Sequence, residues 1–189
     1  MRKVKISLSV IALLLLLAFI FSGEGEIDLS RRLLSPSLEY LFGTDSFGRS
    51  LLSRVSYALI VSLSIGIASS ALSLALSLVI SFILVKAKSN ITVLILSLLD
   101  SIKVIPTVIL ALFLASIKGP SALNVVVVLV LAFLPNCTRT TCATMKSIYK
   151  LSYIEAEYSI GSGEGRVFFF HVLRAMEAYI REEWISLLL

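Results

Sequence analysis

Charged side chains are scarce in this sequence, and histidine and cysteine are almost absent. Only 15% of the 189 residues are charged, and the chain holds one histidine and two cysteines, Cys137 and Cys142. A structural zinc site takes four ligands of these types, and the cysteines are not spaced as Cys-x-x-Cys. The sequence therefore predicts no metal site and no cofactor, and both thiols are expected to pack as small apolar groups.

Patterns associated with catalysis are missing as well. The glycine cluster GSGEG at 161–165 is not a phosphate-binding loop, because Lys-Ser or Lys-Thr does not follow it and no strand precedes it. The chain has no H-E-x-x-H pattern, and its apolar segments hold no paired catalytic groups. The chain is not expected to be an enzyme, and a partner must handle any nucleotide.

The charge balance and the apolar content point to a membrane. The formal net charge is +5, but no basic patch carries interleaved stacking aromatics, so nucleic acid is not an expected partner. Hydrophobic residues make up 58% of the chain and the mean hydropathy is +0.99, whereas soluble domains are about 45–50% apolar. The sequence predicts an all-α, polytopic membrane protein surrounded by membrane lipid.

Four segments are long and apolar enough to span a bilayer, which takes roughly 20 residues. They are residues 6–23, 55–85, 91–117 and 122–137. The first follows the basic residues Arg2, Lys3 and Lys5, which favours a cytoplasmic amino terminus. It is interpreted as an uncleaved anchor rather than a cleaved signal peptide, because further spans follow. These features predict a multi-pass protein of the cell membrane.

The second apolar segment carries small residues at steps of three and four, which places them on one helical face. They are Ser62, Gly66, Ser70, Ser73, Ser77 and Ser81. Small residues let two membrane helices approach closely, so this stripe is interpreted as a packing seam. A hydroxyl-lined transport path is a compatible alternative.

The third segment contains a proline and two charges. Pro106 is expected to kink it, and Asp100 and Lys103 are functional candidates because charges inside a span are rare. Their three-residue spacing also suits a structural ion pair, and both interpretations stay open. Gly119-Pro120 predicts a tight turn before the fourth segment.

A polar and aromatic segment follows the fourth apolar stretch. Ser152 and Glu155 have the spacing of a capping box, which predicts a helix from about Tyr153. Gly161 is placed to end that helix in the left-handed conformation. A helix of about two turns is too short to be stable alone in water, so we expect it to dock on a partner.

This segment resembles the "EAA" loop of permeases from ATP-binding-cassette (ABC) importers. Glu155, Ala156 and Gly161 match the motif, Glu157 replaces its second alanine, and Arg174 stands where the family often has proline. The resemblance implies a coupling helix that docks on a cytoplasmic ATPase subunit.

A second resemblance lies between the first two apolar segments. Residues 43–50 read GTDSFGRS, and Ser53-Arg54 follow. This is similar to the GTDxxGRDxxSR stretch of dipeptide, oligopeptide and nickel permeases of the "C" type, with Ser50 in place of aspartate. The matching residues are Gly43, Thr44, Asp45, Gly48 and Arg49. From the residues alone, the stretch is a capped turn with a favourable Asp45–Arg49 pair.

The resemblance implies a type I importer permease fold with about four membrane helices and a coupling helix. The expected regions are an anchor at 1–23, an external segment at 24–54, a membrane core at 55–143, a coupling loop at 144–173 and an amphipathic tail at 174–189. The family continues with two further spans, whereas residues 171–189 are broken up by charges and are expected to be amphipathic or interfacial.

The implied function is the membrane-spanning permease of an ATP-driven importer for peptides, nickel or similar small solutes. The implied partners are a second homologous permease, ATPase subunits and an extracytoplasmic solute-binding protein. The alternative is a non-transporting, truncated permease fragment or membrane scaffold.

Overall fold

The apolar segments fold into helices. The computed structural model describes residues 27–188, so the predicted span 6–23 lies outside the described part. A short 3-10 turn, Leu29–Arg31, precedes the helices. The helices are α1 (Leu51–Lys86), α2 (Ser89–Ile102), α3 (Thr107–Lys118), α4 (Ala122–Tyr149), α5 (Ser152–Ser159) and α6 (Leu173–Leu188). A helical turn, Glu164–Arg166, and a π-helical segment, Val167–Val172, connect α5 to α6.

The all-α, polytopic class is confirmed. Among residues 27–188 there is no named strand, and an isolated bridge joins Thr44 to Ser50. Helices α1 and α4 are each long and apolar enough to cross a membrane, and α2 with α3 makes a third span if the bent pair is counted as one. The chain divides within α1 into a unit that ends at Ile65 and a unit that begins at Gly66.

The third predicted span is broken rather than kinked. Helices α2 and α3 meet at an angle of 74°, and residues 103–105 turn with bonds to the carbonyls three residues earlier. Proline has no N–H to continue the helix, and it disfavours the helical conformation at the residue before it. Pro106 therefore ends one helix and precedes the next, with φ −55° and ψ 128°.

Helix α4 extends well beyond the predicted end of its span at Cys137. Pro135 lies inside it without ending it. The last three turns hold Thr138, Thr141, Cys142, Met145 and Ile148, which are buried at helical spacing. This buried face continues the helix to Tyr149 after the apolar run has stopped. Both cysteines are buried and free, in agreement with the packing role expected of them.

The serine stripe of α1 packs against α4. Ser73, Ser77 and Ser81 are fully buried. The hydroxyl of Ser81 donates to the Thr138 carbonyl at 3.2 Å, and the hydroxyls of Ser77 and Thr141 lie 3.4 Å apart. Two predicted members of the stripe are not buried in this way, since Ser62 is exposed and Gly66 is half-buried.

A buried apolar cluster lies where α4, α5 and α6 meet. Its buried members are Met145, Ile148, Ile154, Val167, Val172 and Met176, and Leu78 and Phe82 of α1 pack against them. Helix α6 runs antiparallel to α1. The Phe82 and Phe168 ring centroids are 4.3 Å apart, and the Trp184 indole N–H donates to Ser70 Oγ at 3.0 Å. Residues 174–188 are thus a packed helix with one buried and one charged face.

We expect Ser77→Leu to destabilise the helix pair, because the fully buried Ser77 has no room for a larger side chain. Overpacking of this kind costs about 1–3 kcal/mol. Thermal unfolding in detergent, followed by size-exclusion chromatography, should show a lower midpoint than the parent. Val79→Leu, at an exposed position of the same helix, is the control and should leave the midpoint unchanged. Equal midpoints for both variants would contradict the close packing of the serine stripe against α4.

Candidate functional site

Helix α5 begins one residue earlier than predicted, and the capping box does not form. Leu151 is the N-cap, no side-chain cap bond is present, and Ser152 is the first helical residue. The Leu151 carbonyl accepts the amide of Ile154 at 2.9 Å, so a backbone group starts the helix instead of the serine hydroxyl.

The end of α5 is as predicted. Gly161 has φ +84°, a left-handed conformation that costs glycine little. Its amide donates to the Tyr158 carbonyl at 3.0 Å, and the next amide, of Ser162, donates to the Glu157 carbonyl at 3.1 Å. These two bonds are those of a Schellman motif, which fixes the direction in which the chain leaves the helix.

One side chain anchors α5 to the rest of the second unit. Ile154 is fully buried and contributes to the cluster formed with Met145, Ile148, Val167 and Val172. Removing a buried isoleucine side chain of this kind costs about 2–5 kcal/mol. The short helix is therefore held by packing rather than by its own helical propensity.

The residues of the EAA resemblance divide into exposed and structural members. Glu155 and Ala156 are exposed, together with Tyr153 and Ile160. Ser152, Tyr158 and Ser159 are exposed too, and these residues together form the exposed surface of α5 and its C-cap.

Glu157 differs from them, because its carboxylate faces the following loop. It accepts the Ser162 hydroxyl at 2.7 Å and lies 3.5 Å from His171 Nε2. Glu157 thus closes the loop after α5. Its contact with His171, which lies fourteen residues further on, was not predicted from the sequence.

The π-helical segment joins α5 to α6. The Leu173 amide donates to the Phe168 carbonyl, five residues earlier, as π-helical geometry requires. This wider turn lets Val167 and Val172 both be buried, while Phe169 and Phe170 remain more than 60% exposed. An ion pair between Lys86 and Glu164 ties the preceding turn to the end of α1.

The external motif forms a tight loop in the first unit. Gly43 and Gly48 have φ of +73° and +77°. A Cβ at Gly48 would lie 1.7 Å from the Asp28 carbonyl oxygen, and one at Gly43 would lie 2.3 Å from that of Leu34. Both glycines are needed because the backbone of residues 28–34 passes directly against them.

Thr44 fastens the same loop with its side chain. Its hydroxyl accepts the Leu34 amide at 2.8 Å and donates to the Arg31 carbonyl. The backbone adds bonds from Asp28 to Phe47 and from Leu33 to Asp45, each 3.2 Å long. The motif therefore specifies one backbone conformation for residues 28–50.

Asp45 is the centre of this loop. One carboxylate oxygen accepts the amides of Phe47 and Arg49 at 2.8 and 3.0 Å. The other meets Arg49 at 3.1 Å, as predicted, and also Arg54 at 2.8 Å. Burial alone would raise the pKa of Asp45, but the two amides and the Arg49 guanidinium lower it to about 2.

Asp100 is held by two cations. The predicted pair with Lys103 is present at 2.7 Å, and Arg139 of α4 pairs with the other carboxylate oxygen. Arg139 was not a predicted partner of Asp100, because the two residues are far apart in the chain. The cluster ties the end of α2, just before the break at Pro106, to the middle of α4.

Within residues 27–188 no group of three or more His, Cys, Asp or Glu side chains is placed to hold a metal ion. Each predicted motif is nevertheless assembled locally. The residues of the 43–50 motif share one loop, and Glu155, Ala156, Glu157 and Gly161 share one short helix and its cap. The helices define the chain as an all-α membrane protein.

Comparison with known proteins confirms the resemblance: the chain is homologous to permease proteins of peptide-type ABC importers. It is 31% identical over 75% of its length to a Brucella suis protein whose name assigns it to a peptide transport system as a permease. It is 28% identical over 89% of its length to the dipeptide transport system permease protein DppC of Alkalihalophilus pseudofirmus. It is 31% identical over 71% of its length to the di/tripeptide transport system permease protein DppC of Pseudomonas aeruginosa.

The chain spans about half the length of the curated relatives it matches, with 48%, 59% and 44% of these three proteins covered. No family model matches the chain. The relatives are named as transport permeases rather than enzymes, in agreement with the sequence-based expectation that this chain catalyses no reaction.

We expect Gly48→Ala to loosen the external loop, because the added Cβ would overlap the Asp28 carbonyl. Limited trypsin digestion should cut at Arg31, Arg49 or Arg54 at least fivefold faster than in the parent. Gly165→Ala is the matched control, since a Cβ there meets nothing within 4 Å. Unchanged digestion of the Gly48 variant would show that the loop does not need this glycine.

The order of the loop should also depend on pH. Since the pKa of Asp45 is lowered from 3.8 to about 2, its stabilising charge is fully present above about pH 4 and is lost as the pH falls towards 2. A Phe47→Trp reporter in a Trp184→Phe background should change its fluorescence in this window. Adding Asp45→Asn should remove most of the change, and an unaltered titration would exclude Asp45 as its origin.

Proposed function

We propose that this chain is the membrane-spanning permease component of an ATP-driven importer for peptide-like solutes. The observation that carries the proposal is α5, a two-turn helix whose Glu155–Ala156 side is exposed and whose opposite side is locked by Ile154. The homology to peptide transport permeases supports the solute class. Nickel and similar small solutes belong to the same proposal, as the resemblance of the external motif implies.

The coupling step follows from the way α5 is held. A cytoplasmic ATPase subunit binds the exposed surface of α5. When two ATPase subunits close on ATP, that surface is displaced, and Ile154 carries the displacement into the cluster formed by α4, α6 and the end of α1. Because a close-packed cluster is nearly incompressible, the membrane helices move with it and the solute path changes its open side.

The remaining partners follow from the same proposal. A second homologous permease supplies the opposite wall of the path, and an extracytoplasmic solute-binding protein delivers the solute. In this arrangement the chain lies in the cell membrane with its amino terminus in the cytoplasm. The external segment, residues 24–54, then faces the solute-binding protein.

Retention of an ATPase subunit tests the proposal. We expect the unaltered chain, expressed with the ATPase subunits of a peptide importer from the same organism, to co-purify with an ATPase subunit. Glu155→Lys should reduce the retained ATPase at least fivefold, because it reverses an exposed charge on α5. Gly161→Pro should do the same, since it cannot adopt the left-handed cap.

Two controls separate coupling from folding. Glu182→Lys makes the same charge change at an exposed position of α6 and should retain the ATPase. Gly165→Ala changes a glycine without a close neighbour and should also retain it. If the unaltered chain retains no ATPase, the coupling proposal fails and the non-transporting scaffold becomes the better interpretation.

A further inference from the structure

The charged face of α6 lies beside the apolar part of α1. Trp184 bonds to Ser70, which precedes Lys86 by sixteen residues in a continuous helix. At 1.5 Å per residue this is about 24 Å along the axis. A hydrocarbon core is about 30 Å thick, so α6 reaches the depth at which a membrane holds no water of its own.

A groove opens between the two helices and runs from the level of Trp184 towards that of Lys86. Glu177 precedes Trp184 by seven residues and so lies about 10 Å nearer to the level of Lys86. The volume of the groove is about 600 Å³, and its floor is formed by Ala71, Leu74, Ala75 and Leu78 of α1. Glu177, Arg181 and Trp184 of α6 form its wall. The Glu177 carboxylate and the Arg181 guanidinium are 3.2 Å apart, yet their side chains are 70% and 54% exposed.

Two charges this exposed do not face lipid. Ionisable side chains within a span almost always face a protein interior or a water-filled cavity. The ordinary alternative for such residues, a solvated face of a surface helix, does not apply beside an uncharged stretch of α1. Water or a protein surface, and not lipid, must therefore cover the face that carries Glu177 and Arg181.

We propose that Glu177, Arg181 and the apolar floor form a contact site for a small zwitterionic solute with an apolar side chain. The carboxylate binds an ammonium group, and the guanidinium binds a carboxylate through two parallel N–H donors. The floor accommodates the apolar side chain. Without solute the two charges pair with each other, so binding replaces one intrahelical ion pair by two pairs with the solute. This site rests on the proposed transport function.

Water access is tested first, and without any transport assay. Cys137 and Cys142 are replaced by alanine, and single cysteines are introduced by Glu177→Cys and Leu72→Cys. Leu72 is 45% exposed on the same helix as the groove floor, next to Ala71, and serves as the control in the uncharged stretch of α1. Membrane fragments that expose both membrane faces to the solution are treated with a quaternary-ammonium methanethiosulfonate, a charged reagent that labels cysteines in contact with water.

We expect the cysteine at position 177 to react at least tenfold faster than the one at position 72. Its labelling rate should be within tenfold of the rate of a cysteine introduced by Ile160→Cys, since Ile160 is 78% exposed. Equal slow rates at 177 and 72 would overturn the proposal, because lipid or another protein would then cover this face.

Solute contact is tested with both charges in place. A cysteine from Ala75→Cys reports on the groove floor, and millimolar alanyl-leucine is added as the probe. We expect at least threefold slower labelling with this dipeptide and no effect of N-acetyl-alanyl-leucine amide, which lacks both charges. Glu177→Gln or Arg181→Gln should remove the protection, and size-exclusion chromatography confirms that each variant is folded.

Rapid labelling at position 177 without protection at position 75 would overturn the solute site. Protection by the dipeptide in a chain that retains no ATPase would support the site while the coupling proposal fails. The two proposals can therefore fail independently.

Discussion

The burial of Ile154 is the contact on which the arrangement of the second unit depends. Helix α5 has only eight residues, and a helix that short has too few internal hydrogen bonds to persist in water. Its one fully buried side chain joins residues from the end of α4, the π-helical segment and the start of α6. Through this single insertion, an otherwise marginal helix becomes a fixed part of the helical core.

The cluster around Ile154 also explains why the segment after α5 departs from ordinary helical geometry. A regular α-helix turns 100° per residue, so two residues five positions apart point in different directions. The π-helical segment brings Val167 and Val172 into the same core. The direction of α6, and with it the position of its charged face beside α1, follows from that wider turn.

Much of this organisation could be predicted from local sequence. The apolar runs predicted the positions of α1 and α4, and Gly161 was identified as a left-handed cap. The Asp45–Arg49 and Asp100–Lys103 pairs were predicted because their partners are three or four residues apart. What could not be predicted depends on distant contacts, such as Arg139 with Asp100, Asp28 against Gly48, and the buried face that extends α4 to Tyr149. The capping box also failed, since Leu151 rather than Ser152 is the N-cap and its backbone carbonyl starts the helix.

The break at Pro106 has a consequence for what can surround the third apolar segment. A helix end leaves carbonyl groups without intrahelical partners, and a helix start leaves N–H groups without them. Here the two ends meet at 74° within a sequence of membrane-like hydropathy, and hydrocarbon offers no partner to either set. The α2–α3 elbow must therefore border headgroups, water or a polar protein surface, and its location fixes where the lipid contact of this segment is interrupted.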